Sequence, residues 1–145
     1  MAKTLRDLPI GAKVKNIGSS YYGKDIVFLK VAQDHEGYPS NSTTLLSEKI
    51  ICLKAVDAKE PYNSVDKRKS YGNNRYIHSN IKQWLNSSAS SWYKAQHSAD
   101  APPTSSGVSY NAYDKEKGFM ANLTPELRSA ILPTSLQVLK SEVDI

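Results

Sequence analysis

The stretch KDIVFLKVAQDHEGYPSNSTTLLS, residues 24–47, decides the fold class of this chain. Its first part carries Ile26, Phe28 and Val31 in a setting rich in β-branched and aromatic residues, which favours a strand. Glycine, proline and asparagine then mark a turn over residues 35–42. A second apolar run follows the turn, so the stretch predicts two antiparallel strands joined by a loop.

Both flanks of this stretch extend the predicted sheet. On the N-terminal side, LPIGAKVKNIG (residues 8–18) sets a turn before a short alternating strand. On the C-terminal side, TTLLSEKIICLKAV (residues 43–56) predicts one strand, or two strands with a break at Ser47 and Glu48. The three segments together predict an antiparallel meander, and the alternating residues 134–145 predict a further strand.

Two short amphipathic helices are predicted to pack on this sheet. The segment HSNIKQWLNSS predicts a helix over residues 79–86, for which Ser79 or Asn80 supplies the N-cap. Its apolar residues recur three and four positions apart and therefore share one face, on which tryptophan is the core anchor. This face consists of Ile81, Trp84 and Leu85.

The second predicted helix covers residues 124–132. Thr124 is a good N-cap, a proline fits the first helical position, and Glu126 favours the positive end of the helix dipole. Pro133 stops the helix. The predicted fold class is thus α+β, a small antiparallel sheet with two short helices in a single domain over residues 1–145. The apolar stripe of this helix consists of Leu127, Ala130 and Ile131.

Composition gives no positive evidence for an enzyme. The 145 residues include one cysteine, Cys52, which excludes an internal disulfide and a cysteine-based structural zinc site. No two of the three histidines have metal-ligand spacing, and no nucleophile elbow or phosphate-binding glycine loop is found. We therefore expect no catalytic residue, no metal and no cofactor. The histidines are His35, His78 and His97.

Charge and hydropathy restrict the classes of partner that the chain can have. The net charge is +5, but its one cluster, residues 67–69, belongs to no known nucleic-acid-binding motif and predicts a solvated loop. No segment reaches the roughly 20 apolar residues that span a bilayer, and the N-terminus lacks a signal-peptide pattern. We expect neither nucleic acid nor membrane as a partner. We expect the chain to be made and kept in a bacterial cytoplasm, unless it leaves by lysis or inside a virion or phage-like particle.

Tyrosine is the most unusual feature of the composition, with nine tyrosines against two phenylalanines. Tyrosine packs its ring and keeps its hydroxyl wet, so this ratio predicts many half-exposed aromatic side chains. They serve a binding surface, or they pack within loops over a thin core. Two long polar loops, residues 57–76 and 98–117, are predicted to form that surface. The candidate binding residues are Tyr62, Tyr71, Arg75, Tyr76, Trp92, Tyr110 and Tyr113.

Two segments carry a family resemblance that extends from about Leu8 to Leu139. RYIHSNIKQWLN (residues 75–86) and FMANLTPELRSAIL (residues 119–132) resemble the DUF6273 type of domain, which occurs in prophages and in bacteria of the Clostridia and Bacilli. The resemblance implies a distant likeness to the C-type lectin fold. The resemblance implies that longer members continue into a tryptophan-rich second half. We therefore expect this chain to be part of a longer domain, or its fold to be completed by another segment or subunit. An open sheet edge invites pairing, so we also expect oligomerisation.

The resemblance implies a non-enzymatic virion structural or adhesion module of a phage or phage-like particle. It would lie in a tail, baseplate, fibre or capsid decoration and contact other virion proteins or copies of itself. The alternative is a carbohydrate-binding module that recognises host cell-wall glycan, with Trp92 and the tyrosines stacking on sugar rings. A third hypothesis, an enzyme acting on wall polymers, requires two carboxylates brought together in space.

Overall fold

The computed structural model describes residues 4–135, and the chain there forms two compact units. Within the described range, one comprises residues 4–51 and 122–135, and we call it the sheet unit. The other is Cys52–Ala121, which we call the loop unit. Three strands, three α-helices and two 3-10 turns follow one another: β1 Lys13–Tyr21, β2 Lys24–Gln33, β3 Thr43–Ser47, α1 Asp66–Tyr71, Tyr76–His78, α2 Asn80–Leu85, Phe119–Asn122 and α3 Pro125–Ala130.

The predicted α+β class is confirmed, because the described chain has a small antiparallel sheet and a few short helices. The likeness to the C-type lectin fold and the single domain over residues 1–145 stay predictions. The strand predicted for residues 134–145 lies outside the described residues, apart from its first two positions. Among residues 4–135, no helix has the length and apolarity needed to cross a membrane.

The sheet has the order β1-β2-β3, with both pairs antiparallel. β1 and β2 are joined by a two-residue turn in which Tyr22 and Gly23 have φ values of 47° and 73°. Such left-handed residues match the twist of the flanking strands, and glycine adopts them without strain. The predicted loop between β2 and β3 closes where the amide of Asp34 donates to the Ser42 carbonyl, 2.9 Å away.

β1 contains a bulge that receives the start of α3. The register between β1 and β2 shifts between Lys15 and Ser20. In this interval the Asn16 side-chain oxygen accepts from the Thr124 hydroxyl at 3.0 Å, and the Ser19 hydroxyl accepts from the Thr124 amide at 3.0 Å. Bulges re-aim side chains in this way. The predicted N-cap is confirmed, since the Thr124 hydroxyl also accepts from the amide of Leu127 at 3.3 Å.

The sequence predicted one strand over residues 43–56, or two with a break at Ser47 and Glu48. β3 ends at Ser47, where the second alternative placed the break, but residues 48–56 form no strand, so the second half was wrong. In the loop unit, the carbonyls of this second half accept side-chain hydrogen bonds in place of a neighbouring strand. Asn111 donates to the Leu53 carbonyl at 3.1 Å, and the Tyr113 hydroxyl donates to the Ala55 carbonyl at 2.8 Å. The segment is therefore held by side chains, which the apolar pattern does not encode.

Of the helices, α2 and α3 confirm the predicted segments, and α1 was not predicted. α2 starts at the Ser79 cap, whose hydroxyl accepts from the Lys82 amide at 3.3 Å. α1 buries no residue, so it has no apolar stripe to detect. The stripe predicted for α3 was wrong at its end: Ala130 is exposed, and Ile131 is 46% exposed because the helix stops at Ala130.

A buried lysine anchors the start of the chain in the sheet unit. Lys30 lies in β2 and is 2% exposed. Its ammonium donates to the carbonyls of Leu5, Arg6 and Leu8, at 3.1, 2.8 and 2.8 Å. Three donors thus meet three carbonyls, which compensates the cost of removing the charge from water.

Candidate functional site

The structure divides the predicted binding residues into an exposed set and a buried set. Tyr62 is 91% exposed, Tyr71 79% and Tyr110 67%, and Arg75 is also exposed. Tyr76 is half-buried. All of these residues belong to the loop unit.

Trp92 and Tyr113 are core residues, so their prediction as surface contacts was wrong. They are 5% and 1% exposed, and their rings stack at 5.5 Å between centroids with an interplanar angle of 7°. The Trp92 indole N–H donates to the Glu116 carbonyl at 2.9 Å. Buried tryptophan and tyrosine need a partner for their polar atom, and both have one. Neither ring presents a face to a sugar.

Trp84 completes this aromatic core as predicted. It is 1% exposed, packs edge-on against Tyr113 at 5.6 Å, and donates its indole N–H to the Lys117 carbonyl at 3.1 Å. The ammonium of Lys54 lies 5.3 Å from the Tyr113 ring centroid and pairs with Glu116. Cation–π attraction and a largely buried ion pair therefore tie the start of the loop unit to its aromatic core.

A buried carboxylate, Asp57, joins three segments of the loop unit. One of its oxygens accepts from the Asn73 amide at 2.7 Å, and the other accepts from the Asn80 amide at 2.9 Å. The Asn80 side chain returns the contact by accepting from the Ala58 amide at 2.8 Å. Asp57 is 6% exposed, while Asn73 and Asn80 are 2% and 0% exposed. We call these three residues the polar core.

Burial, with smaller contributions from the nearby carboxylates of Asp100 and Glu60, raises the pKa of Asp57 to about 6. The two backbone N–H donors act in the opposite direction. A raised carboxyl pKa is a common mark of a functional site. Here, however, both oxygens of Asp57 are engaged in holding backbone, so the shift accompanies a structural role.

A second buried acid, Glu60, faces a histidine. Glu60 is 0% exposed, and one of its oxygens lies 3.2 Å from Nε2 of His97. Its other oxygen accepts from the Asn63 side chain. Burial raises the pKa of the neighbouring Tyr93 to about 12, with a further contribution from the charge of Asp100. The structure thus gathers acids that the sequence shows only as scattered residues.

Two glycines let the loops of this unit approach one another closely. At Gly72, where φ is 74°, a Cβ would lie 2.2 Å from the Ala58 carbonyl oxygen. At Gly107, a Cβ would lie 2.9 Å from the Pro102 carbonyl oxygen. A larger side chain would push these backbones apart, so both loops depend on glycine for their position.

A small pocket opens between two of the exposed tyrosines. It has a volume of about 160 Å³. Tyr71 and Tyr110 both line it, so the structure brings two of the predicted binding residues to one cavity. The remaining lining residues are Ala55, Asp57, Lys59, Ser70, Gly107, Val108 and Ser109.

A larger pocket, of about 500 Å³, lies in the sheet unit beside the β1–β2 turn. Its lining includes Tyr21, Tyr22, Ile26, Ile50 and Ile51. None of the predicted binding residues lines it. We therefore place the candidate site at the smaller pocket and the tyrosines around it.

The charged groups of the loop unit do not form a metal centre. Within residues 4–135, no group of three or more histidine, cysteine, aspartate or glutamate side chains is placed to hold a metal ion. Cys52 is half-buried and follows the sheet unit directly, outside the strand in which the sequence placed it.

Sequence reasoning missed the polar core, because its residues are 16 and 23 positions apart. One signal was available: Asp57 and Glu60 lie at the start of a long polar loop that has little periodicity. Loops of that length in compact domains are often ordered by their own side chains. Which side chains do so depends on contacts that only the fold creates.

The comparisons with known proteins identify a family and no closer relative. The model of the family described as "Domain of unknown function (DUF6273)" matches residues 41–144. No curated protein and no solved structure matches the chain. The match covers the whole loop unit.

Proposed function

The chain belongs to the DUF6273 family, and we propose that it is a non-enzymatic binding module acting through the exposed tyrosines of its loop unit. One observation carries the proposal. Tyr62, Tyr71 and Tyr110 are 67–91% exposed on loops whose backbone is fixed from beneath by buried side chains. Rigid tyrosines supply a large amphipathic contact area at a low cost in conformational entropy, as binding loops require.

The state of the carboxylates supports a non-enzymatic role. A general acid must reach the substrate proton directly or through one water. Asp57 is 6% exposed and Glu60 is 0% exposed, and both accept hydrogen bonds from groups of their own unit. The wall-polymer enzyme would need two accessible carboxylates, and this pair is committed to holding loops together.

We propose further that the module belongs to a phage or phage-like particle, as a structural or adhesion component that contacts other virion proteins or copies of itself. The support for this context is the occurrence in prophages that the family resemblance implies. A rigid, tyrosine-bearing surface suits such contacts, since tyrosine is enriched at protein interfaces and arginine accompanies it there. Arg75 lies in the same unit as the exposed tyrosines.

Mass spectrometry of particles purified after prophage induction tests the particle assignment. We expect stoichiometric peptides from this chain in wild-type particles. Substituting Tyr62, Tyr71 and Tyr110 together by alanine should remove it from them. The matched control is Tyr22→Ala, which deletes a 75% exposed tyrosine of the sheet unit and should leave incorporation unchanged. Absence of the wild-type chain from the particles would contradict the proposal.

A second candidate function, carbohydrate binding, is favoured by the pocket between Tyr71 and Tyr110. Two tyrosines line a small cavity together with both polar and apolar residues. Mixed apolar and polar surfaces of this kind are typical of small-ligand sites. Trp92, the ring that the sequence suggested for sugar stacking, has no part in it because it is buried.

A further inference from the structure

We propose that the pocket between Tyr71 and Tyr110 binds a single sugar ring of a glycan, with the ring packed on the two tyrosines. This inference rests on the second candidate function, carbohydrate binding, and names its site. It also differs from the sequence-based version of that function, because the stacking residues are tyrosines of the loop unit and not Trp92.

The size of the pocket restricts the ligand to about one ring. Pockets for larger small molecules have volumes of roughly 300–1,000 Å³. The present cavity, at about 160 Å³, corresponds to the space of roughly five water molecules. Extended ligands would have to project from the pocket into solvent, as the remainder of a glycan chain does when one unit is bound.

The two segments that carry Tyr71 and Tyr110 are both hydrogen-bonded to residues 57–59. Two positions after Tyr71, the amide of Asn73 donates to the carboxylate of Asp57 at 2.7 Å. Three positions before Tyr110, the carbonyl of Gly107 accepts from the amide of Lys59 at 2.9 Å. A pocket whose walls are already in place loses little entropy on binding, which favours even a small ligand.

The chemistry of the lining distinguishes a sugar from an apolar side chain of a partner protein. Within residues 4–135, no hydrogen bond or ion pair engages the hydroxyls of Ser70 and Ser109 or the ammonium of Lys59. An apolar side chain would bury such groups without partners, at a cost. A sugar ring offers hydroxyls to them along its edge and C–H groups to the faces of Tyr71 and Tyr110.

The exposure of the two tyrosines agrees with a stacking role. Tyr71 is 79% exposed and Tyr110 is 67% exposed, while Gly72, next to Tyr71, and Val108, two positions before Tyr110, are buried. An aromatic ring that projects from an anchored backbone is available to a ligand and does not have to be ordered by it.

The test is a titration of the ¹⁵N-labelled full chain, followed by amide chemical shifts. The probes are the methyl glycosides of glucose, galactose, mannose and N-acetylglucosamine, each added separately. We expect at least one glycoside to shift the amides of Ser70, Gly107 and Ser109, with a Kd on the order of 1 mM for a single ring.

Variants then assign the binding to the two rings. Tyr71→Ala and Tyr110→Ala should each weaken binding by at least about tenfold, as loss of a contact ring does at a binding hot spot. Tyr22→Ala is the control. It removes a tyrosine of the sheet unit that is 75% exposed and does not line the pocket, so the Kd should not change.

The outcomes that overturn the inference are distinct from one another. Shifts that map away from the pocket, or that survive in both tyrosine variants, would refute the site while leaving carbohydrate binding in place. Absence of shifts with every glycoside at its highest soluble concentration would refute both. If N-acetyl-proline methylamide shifts the pocket amides and no glycoside does, the pocket binds a proline side chain of a peptide and the sugar assignment is wrong.

Discussion

The two units of the chain use different means to satisfy their buried backbone. In the sheet unit, strands β1 to β3 pair with one another, and the hydrogen bonds form a ladder. In the loop unit, single side chains take the place of neighbouring strands: Asp57 accepts two amides, and Tyr113 donates to a carbonyl of a distant segment. Irregular backbone is thus compatible with a fully determined position, provided that each buried polar group finds a partner.

The two units should differ in how strongly their stability depends on single side chains. In the sheet, many equivalent backbone hydrogen bonds hold the strands together, so the loss of one side chain leaves the strands paired. In the polar core, a few side chains make these hydrogen bonds. The loss of Asp57 therefore removes the acceptor of the Asn73 amide and of the Asn80 amide at once.

Trp84→Ala should produce the largest loss of stability. The side chain is 1% exposed, contacts Tyr113 and Phe119, and donates to the Lys117 carbonyl. Truncation of a buried tryptophan costs about 3–5 kcal/mol in the free energy of unfolding. Urea unfolding followed by the fluorescence of Trp92 measures it. A loss below about 1 kcal/mol would mean that the loop unit is not organised around this ring.

Asp57→Ala should cost about 2–4 kcal/mol, because two buried amides lose their acceptor at once. Asp57→Asn keeps one acceptor oxygen, so its loss should be smaller. The control is Asp66→Ala, which removes an exposed carboxylate of α1 that pairs with Lys69 at 2.9 Å. Such a surface pair contributes between about 0 and 1 kcal/mol. Equal losses for Asp57→Ala and Asp66→Ala in urea unfolding would contradict the role of the polar core.

Lys30→Met probes a place where the sheet unit relies on a single polar side chain. The substitution leaves three backbone carbonyls of residues 5–8 without their donor and should cost about 2 kcal/mol. Lys13→Met, which breaks a surface pair with Glu48, should cost less than about 1 kcal/mol. Urea titration of the NMR signals of β2 reports both. If the two variants are equally stable, the buried ammonium does not anchor the N-terminal segment.

The stability of the loop unit should fall as the pH rises from about 4 to about 6. The pKa of Asp57 is raised from 3.8 to about 6, so in this window the folded protein holds a proton that the unfolded chain has lost. Asp57→Asn lacks this group, and the wild-type advantage over it should therefore decrease with rising pH. Paired urea titrations at several pH values measure the difference, and a constant or increasing advantage would show that burial does not dominate this pKa.

Alanine substitution of the exposed tyrosines should have the smallest effect on stability. Tyr62→Ala, Tyr71→Ala and Tyr110→Ala should each change the free energy of unfolding by less than about 0.5 kcal/mol, as surface substitutions do. Their effect should fall on binding alone. A loss above about 1 kcal/mol for Tyr71 or Tyr110 would indicate that the ring supports the loops and is not reserved for a ligand.

The sheet and the helix caps could be predicted because their signals are local. Alternation and turn residues lie within residues 24–47, and the Thr124 cap lies next to the helix that it starts. The loop unit could not be derived in the same way. Trp92 and Tyr113 stand 21 positions apart and stack only because the intervening loop returns, so composition alone left their exposure open.

The candidate site was predicted in part for the same reason. Polar, tyrosine-rich loops indicate a surface, and the sequence therefore identified Tyr62, Tyr71 and Tyr110 among its candidates. The sequence could not show which tyrosines line the same pocket, because the segments of Tyr71 and Tyr110 come together only through hydrogen bonds to residues 57–59. It also could not show that Asp57 is a buried acceptor, because the sequence does not distinguish a buried aspartate from an exposed one.

Buried side chains should hold the backbone of the loop unit in place as stably as paired strands hold the sheet. The direct test is amide hydrogen exchange of the full chain. The informative amides are those of Ala58, Asn73 and Asn80, which donate to side-chain oxygens of the polar core. We predict protection comparable to that of β2 amides in the sheet unit. Exchange at the rate of open surface loops would contradict the account and leave the tyrosine-bearing loops without a rigid base.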